Sequence, residues 1–198
     1  MKKTIYLIRH AEPYFDFGES LCLGKNSDPL LSVSGKNAAR EFAVSFKETA
    51  EKAGCVYTSP LKRAKLTAFE IAAIADVPLR VITSLSEMDA GDWDGKPICE
   101  INEEYAALSE KEQGDEGVVP PHGESYTHGA ERMSAALSVL ASNAPQDTLV
   151  VVAHAIINRA LLCKLTNTPF RDLGSIPQEY LQVNTLEYDT ETGEMKVV

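Results

Sequence analysis

Asp147-Thr148-Leu149-Val150-Val151-Val152-Ala153-His154 is the stretch that decides how this chain folds. A continuous apolar, valine-rich run without polar alternation is what a strand needs when both of its faces are covered, and such strands fill the centre of parallel sheets. Working outward, Thr4-Ile5-Tyr6-Leu7-Ile8 is a second β-rich run. Cys55-Val56-Tyr57-Thr58 and Leu79-Arg80-Val81-Ile82 are weaker strands, and Tyr180 to Tyr188 pairs with Glu194 to Val198 across a Glu191-Thr192-Gly193 turn. Helical spacing fills the intervals. Ser34 caps a helix reaching about Lys52, and Ser59-Pro60 opens one that carries Leu61, Ala64, Ala68, Ile71, Ala72 and Ala75. A third runs from Glu124 to just before Pro145, and a fourth follows His154. Strands alternating with helices predict an α/β fold, three α/β/α layers around a mostly parallel central sheet. The polar, acidic and poorly periodic stretch from about Lys96 to His122 reads as a lid-like insertion within one domain spanning residues 1–198.

Composition sets outer limits on function. The 198 residues hold 19 Lys and Arg against 29 Asp and Glu, a formal net charge of −10, which disfavours nucleic acid or an anionic membrane as partner. No run approaches the roughly 20 apolar residues of a membrane span. The four cysteines, Cys22, Cys55, Cys99 and Cys163, form no CxxC pair and no zinc-ligand spacing, so no metal site and no disulfide framework is expected. After Met1-Lys2-Lys3 the apolar run breaks at Arg9-His10 without a small-residue cleavage site, which is unlike a signal peptide. The expected compartment is the cytoplasm.

Ligands of open α/β sheets bind beyond the carboxyl ends of the strands. Here the first strand runs into Arg9-His10, the second into Ser59-Pro60-Leu61-Lys62-Arg63, and the central one into His154. Lys62, Arg63 and Lys65 crowd the first turns of a helix, where the macrodipole is already positive; for Arg63 a bound anion accounts for that placement better than solvent does. Arg9, Arg63, a helix N-terminus at His154 and one imidazole would hold a phosphoryl group through charge-assisted hydrogen bonds, without a metal or other cofactor. The other imidazole is then available as a nucleophile that carries phosphorus covalently. A leaving alkoxide also needs a proton. Glu87 is a candidate donor, although spacing alone does not separate it from 28 other carboxylates.

These residues resemble the signatures of the histidine phosphatase superfamily, the phosphoglycerate mutase-like proteins. Leu7-Ile8-Arg9-His10-Ala11-Glu12 is similar to the family's LxRHGE element, and Ser59-Pro60-Leu61-Lys62-Arg63-Ala64 with Thr67-Ala68 to SPLxRAxxTA. Leu85 to Gly95 is similar to LxExxxGxWxG, and Val151-Val152-Ala153-His154 to the closing VVxH. Gly24, Asp28-Pro29-Leu30, Gly35 and Gly123-Glu124-Ser125 add to the match, which spans nearly the whole chain in the family's order. The resemblance implies a phosphoglycerate mutase-like fold and a phosphohistidine at His10. It also implies phosphate binding by Arg9, Arg63 and His154, with Glu87 giving the leaving group its proton and then activating water. Three departures stand against the resemblance: Ala11 for Gly, a change also seen in some phosphatase branches, and Asp16 for Asn and Ala38 for Gln, which bear on subgroup and substrate more than on the chemical step.

The expected activity is hydrolysis of a small phosphate monoester. The alternatives are a phosphoglycerate mutase and an inactive phosphate-binding module. Mutases of this kind look as if they hold a bisphosphate with extra basic residues after the Glu element. Here Gly91 to Glu131 contains only Lys96 and Lys111 as Lys or Arg, against eleven acidic residues, a balance expected to reject a second phosphate. The Gly24 to Gly35 element and the short length look most like α-ribazole and broad-specificity phosphatases. His122 and His128 read as surface or capping residues.

Overall fold

The computed structural model describes residues 1–15, 20–111 and 116–198. Asp16 lies outside the described residues, so its departure from the family pattern has no structural counterpart here. The described elements run β1 (Lys2–Arg9), α1 (Val33–Ser45), α2 (Lys47–Ala53), β2 (Val56–Thr58), α3 (Lys62–Ala75), β3 (Leu79–Val81), α4 (Ile98–Lys111), α5 (Tyr126–Asn143), β4 (Thr148–Ala153), α6 (Ala155–Thr166), β5 (Val183–Asp189) and β6 (Met195–Val197). They form a six-stranded sheet in the order β3-β2-β4-β1-β5-β6. The first four of these are mutually parallel; β5 and β6 extend the sheet in antiparallel fashion.

The apolar run at 149–153 becomes the central strand because each of its two faces has a helical layer to fill. Leu149, Val151 and Ala153 point into one core with Ile5, Leu7, Met133, Leu137, Ile157 and Leu161, beneath α5 and α6. Val150 and Val152 point the other way, into a core with Ile8, Val56, Ile71 and the alanines of α1 to α3. This is the period-two alternation of a strand buried on both sides. Ala64, Ala68, Ala72 and Ala75 recur along α3 and are all buried, so that helix lies close against the sheet.

Three local expectations are corrected. Ser32, not Ser34, caps α1: its hydroxyl accepts the Gly35 N–H at 2.9 Å. The predicted helix to Lys52 is interrupted at Phe46 (φ −98°, ψ 3°), which ends α1 and precedes α2. Pro60 stands outside α3, whose N-cap position is Leu61; Ser59 instead accepts the Leu61 N–H through its side chain. Within the acidic stretch, Ile98, Ile101, Tyr105 and Leu108 keep helical spacing in α4, a pattern that the charged residues between them obscure.

Leu137→Ala in the α5 face of the core should cost about 3 kcal/mol, the usual range for a fully buried leucine. Urea unfolding should show a lower midpoint at unchanged slope.

Candidate active site

Parallel pairing aligns the carboxyl ends of β1, β2 and β4. Arg9 is in register with Ala153, and Thr58 with Val152. Beyond the strands the ladder continues through His10 N–H to the Ala153 carbonyl at 3.0 Å and Ser59 N–H to the Val152 carbonyl at 3.1 Å. Residues 10, 59 and 154 therefore emerge side by side. The rings of His10 and His154 lie 5.1 Å apart, edge to face, and Nε2 of His154 is 2.7 Å from the Ser59 hydroxyl.

The two imidazoles are held in defined states. Nδ1 of His10 bonds the Ala11 carbonyl at 2.7 Å, and since a carbonyl only accepts, the proton is on Nδ1 and the lone pair on Nε2. Burial, reinforced by Arg63 and Arg9, pushes the His10 pKa down to about 3, so the ring is neutral at physiological pH. His154 is fully buried and lowered in the same direction by burial and the same arginines. Ser59 Oγ already accepts the Leu61 N–H; we assign its own proton to Nε2 of His154, which leaves the His154 proton on Nδ1.

Both arginines are oriented by backbone carbonyls. Arg63, 1% exposed, donates to the carbonyls of Ser27 at 2.6 Å, Gly24 at 3.1 Å and Leu23 at 3.2 Å. That loop is fixed by Asp94, whose carboxylate accepts the N–H groups of Gly24 and Asn26. Arg9 donates to the Gln178 carbonyl and stacks on Tyr180, with its guanidinium carbon 3.9 Å from the ring centre. Five buried side-chain polar atoms lack a partner among the described residues, and three of them are Arg9 Nε, Arg63 Nε and His154 Nδ1. Unsatisfied buried donors are costly, and these belong to the residues that the sequence singled out for phosphate.

Glu87 joins this group. It is 4% exposed, and its carboxylate accepts N–H bonds from Met88 at 2.9 Å and from Ile156 and Ile157 at the start of α6, at 3.0 and 2.8 Å. Burial raises its pKa, opposed by those three N–H groups and Arg63. The carboxyl can thus be protonated more readily than a solvated one, while its anion has waiting partners. The loop is clamped by Arg132, which donates to the Ser84 and Ser86 carbonyls at 2.8 and 3.0 Å and forms a two-pronged pair with Glu124. Gly91 completes the turn at φ +51°, where a Cβ would stand 2.1 Å from the Pro121 carbonyl oxygen.

All five residues singled out from the sequence, Arg9, His10, Arg63, Glu87 and His154, are therefore brought to one place. Four of them, all but the buried His154, line a cavity of about 440 Å³. Ser59, Arg132, Arg159, Gln178 and Tyr180 were not anticipated. Arg159 lies five residues after His154 on α6, a spacing that could have suggested it; the contact of Arg132 with the Glu87 loop joins residues 46 and 48 positions apart and left no local signal. His122 and His128 bond different carboxylates, Asp92 at 3.0 Å and Glu124 at 2.8 Å.

The family model described as histidine phosphatase superfamily (branch 1) matches residues 5–198. The chain is 31% identical over 170 residues to "Phosphoserine phosphatase 1" of Hydrogenobacter thermophilus, an alignment covering 81% of this chain and 75% of that protein. Its fold matches Bacillus stearothermophilus YhfR with a TM-score of 0.84 at 25% identity, over 98% of this chain and 95% of the other. It also matches a mutant phosphoserine phosphatase from Entamoeba histolytica in complex with phosphoserine, with a TM-score of 0.83 at 22% identity, over 98% and 94%.

The lowered pKa of His10 has a measurable consequence. Unfolded, a histidine takes up a proton near pH 6.5; folded, His10 does so only at about pH 3. Between those values the unfolded state binds more protons, so this residue makes stability fall as pH drops through the window. From pH 7 to pH 5, wild type should lose up to about 2 kcal/mol more than His10→Gln in urea unfolding.

Proposed function

This chain belongs to the histidine phosphatase superfamily, branch 1, and on that premise we propose how it works as a phosphoric monoester hydrolase. Nε2 of His10 attacks the phosphorus of a small phosphate monoester, displaces the alcohol and holds the phosphoryl group as phosphohistidine. Arg9, Arg63 and Nδ1–H of His154 bind the equatorial oxygens, where negative charge collects. Glu87 protonates the departing alkoxide, then takes a proton from the water that frees phosphate from His10. The observation that carries this reading is that Arg9, His10, Arg63 and Glu87 line one cavity, with the His154 ring 5.1 Å from that of His10, whose Nδ1 is turned to the Ala11 carbonyl.

Burial supports each role. A neutral imidazole is a nucleophile and an imidazolium is not, so two arginines beside His10 serve twice, by holding phosphate and by keeping the ring deprotonated. Raised by burial, Glu87 is suited to give a proton; supported by the N-terminus of α6, it tolerates the charge that remains. No step needs a metal or other cofactor.

Among residues lining the cavity the cations are Arg9, Arg63 and Arg159, and Arg159 is close enough to Arg9 to lower its pKa. With no further cation among the described residues of its lining, the cavity favours hydrolysis over a mutase cycle that keeps a bisphosphate in place. The proposal also covers organisation and location. Residues 1–198 act as one domain in which about residues 96–122 serve as a lid, supported by Ile98, Ile101, Asn102 and Tyr105 lining the cavity. The four cysteines are free thiols, which supports a reducing cytoplasm.

His10→Ala should abolish release of phosphate from an aryl phosphate and remove the acid-labile phosphoenzyme seen after rapid mixing. Turnover without a phosphoenzyme at His10 would overturn the route. Glu87→Gln should slow alkyl esters by about 10²–10⁴-fold and aryl esters much less, since a good leaving group needs little protonation. Equal slowing of both would exclude the acid role, and phosphoglycerate isomerisation dependent on a bisphosphate primer would favour the mutase.

A further inference from the structure

The cavity is much larger than a phosphoryl group requires, and its lining is both charged and apolar. His10, Arg63 and Glu87, each no more than 4% exposed, share the lining with buried Trp93 and Ile101, with Phe15 and Tyr126, and with Ile98 and Tyr105, each 41% exposed. Among the described residues of α4 the acidic side chains are not part of this lining. On α4, Glu100, Glu103 and Glu104 are exposed to solvent while Ile98, Ile101 and Tyr105 line the cavity.

Besides Glu87, two carboxylates line the cavity, and both are already engaged. Asp89 pairs with Lys25 at 2.7 Å, and Glu124 is held by Arg132 and His128. Among the described residues a substrate ammonium would meet no unengaged carboxylate there besides Glu87, and losing its hydration against aliphatic surface would be unfavourable. An apolar group would gain from leaving water.

Resting on the phosphatase reading above, we propose that the preferred substrates are monophosphate esters of uncharged, apolar alcohols, alkyl or aryl, whose organic part lies against Trp93, Tyr105, Ile98 and Ile101 while the phosphoryl group sits at His10. Specificity then comes from burial of carbon rather than from a second ion pair.

Binding of straight-chain alkylphosphonates from ethyl to hexyl, measured by calorimetry, tests this independently of turnover, because their P–C bond is not hydrolysed. Affinity should rise about fourfold per added methylene, the equivalent of about 0.8 kcal/mol, until the cavity is filled. In Ile98→Asp and Tyr105→Ser, at partly exposed positions that the fold tolerates, the hexyl-to-ethyl affinity ratio should fall at least fivefold. A flat series in wild type, or aminoethylphosphonate binding more tightly than butylphosphonate, would overturn the proposal. Hydrolysis of ethyl phosphate, run in parallel, judges the phosphatase reading separately: turnover with a flat phosphonate series sinks only the apolar specificity, and a steep series without turnover sinks only the hydrolase.

Discussion

The parallel ladder between β1 and β4 is the constraint on which the rest depends. Because Arg9 is in register with Ala153, and the His10 N–H continues the ladder to the Ala153 carbonyl, two histidines 144 positions apart leave the sheet as neighbours. A shift of one residue would turn the side chains of one strand to the opposite face and break both the apolar layers and the site. The central strand β4 holds the register because its valines must fill two cores at once. Stability and chemistry thus share one hydrogen-bonded ladder.

Around that pair the protein gathers charge where charge is least comfortable. Arg63 is nearly inaccessible to water, and three carbonyls of the 23–27 loop take the place of its hydration. Those carbonyls are themselves held by Asp94, so an acidic residue that looks from the sequence like part of a solvated excess orders a buried cation instead. Arg132 and Glu124 do comparable work on the other side, fixing the backbone on both flanks of Glu87. In a low-dielectric setting such preorganisation strengthens every interaction with an incoming anion, and it keeps both imidazoles neutral.

The net charge of −10 consequently says little about the ligand. Among the described residues the carboxylates lining the cavity other than Glu87 are in ion pairs, and the cations lining it are Arg9, Arg63 and Arg159. The rest of the lining includes apolar surface on α4 and on the Trp93 turn, so charged and apolar groups share the cavity.

Much of this was readable in the residues themselves. Periodicity identified the double-sided strand at 149–153, the alanine face of α3 and the helices after Ser125 and His154, because local hydrophobic spacing reflects burial directly. The strand ends and helix starts at Arg9-His10, Arg63 and His154 pointed to the site because they have local signatures, and Glu87 was added by the family resemblance. Glu87 was not distinguishable by spacing from any other acidic residue; only the fold shows it buried against the first turn of α6. The clamp by Arg132 likewise depends on contacts distant along the chain, whereas the cap at Ser32 is local, a bond to the Gly35 N–H three residues on. By itself the sequence determined most of the strands and helices and the strand ends at which Arg9, His10 and His154 stand, since those follow from local pattern. Tertiary structure alone decided the protonation states of the two imidazoles and which face of the acidic segment meets the substrate cavity, since burial and opposing partners are properties of the folded chain.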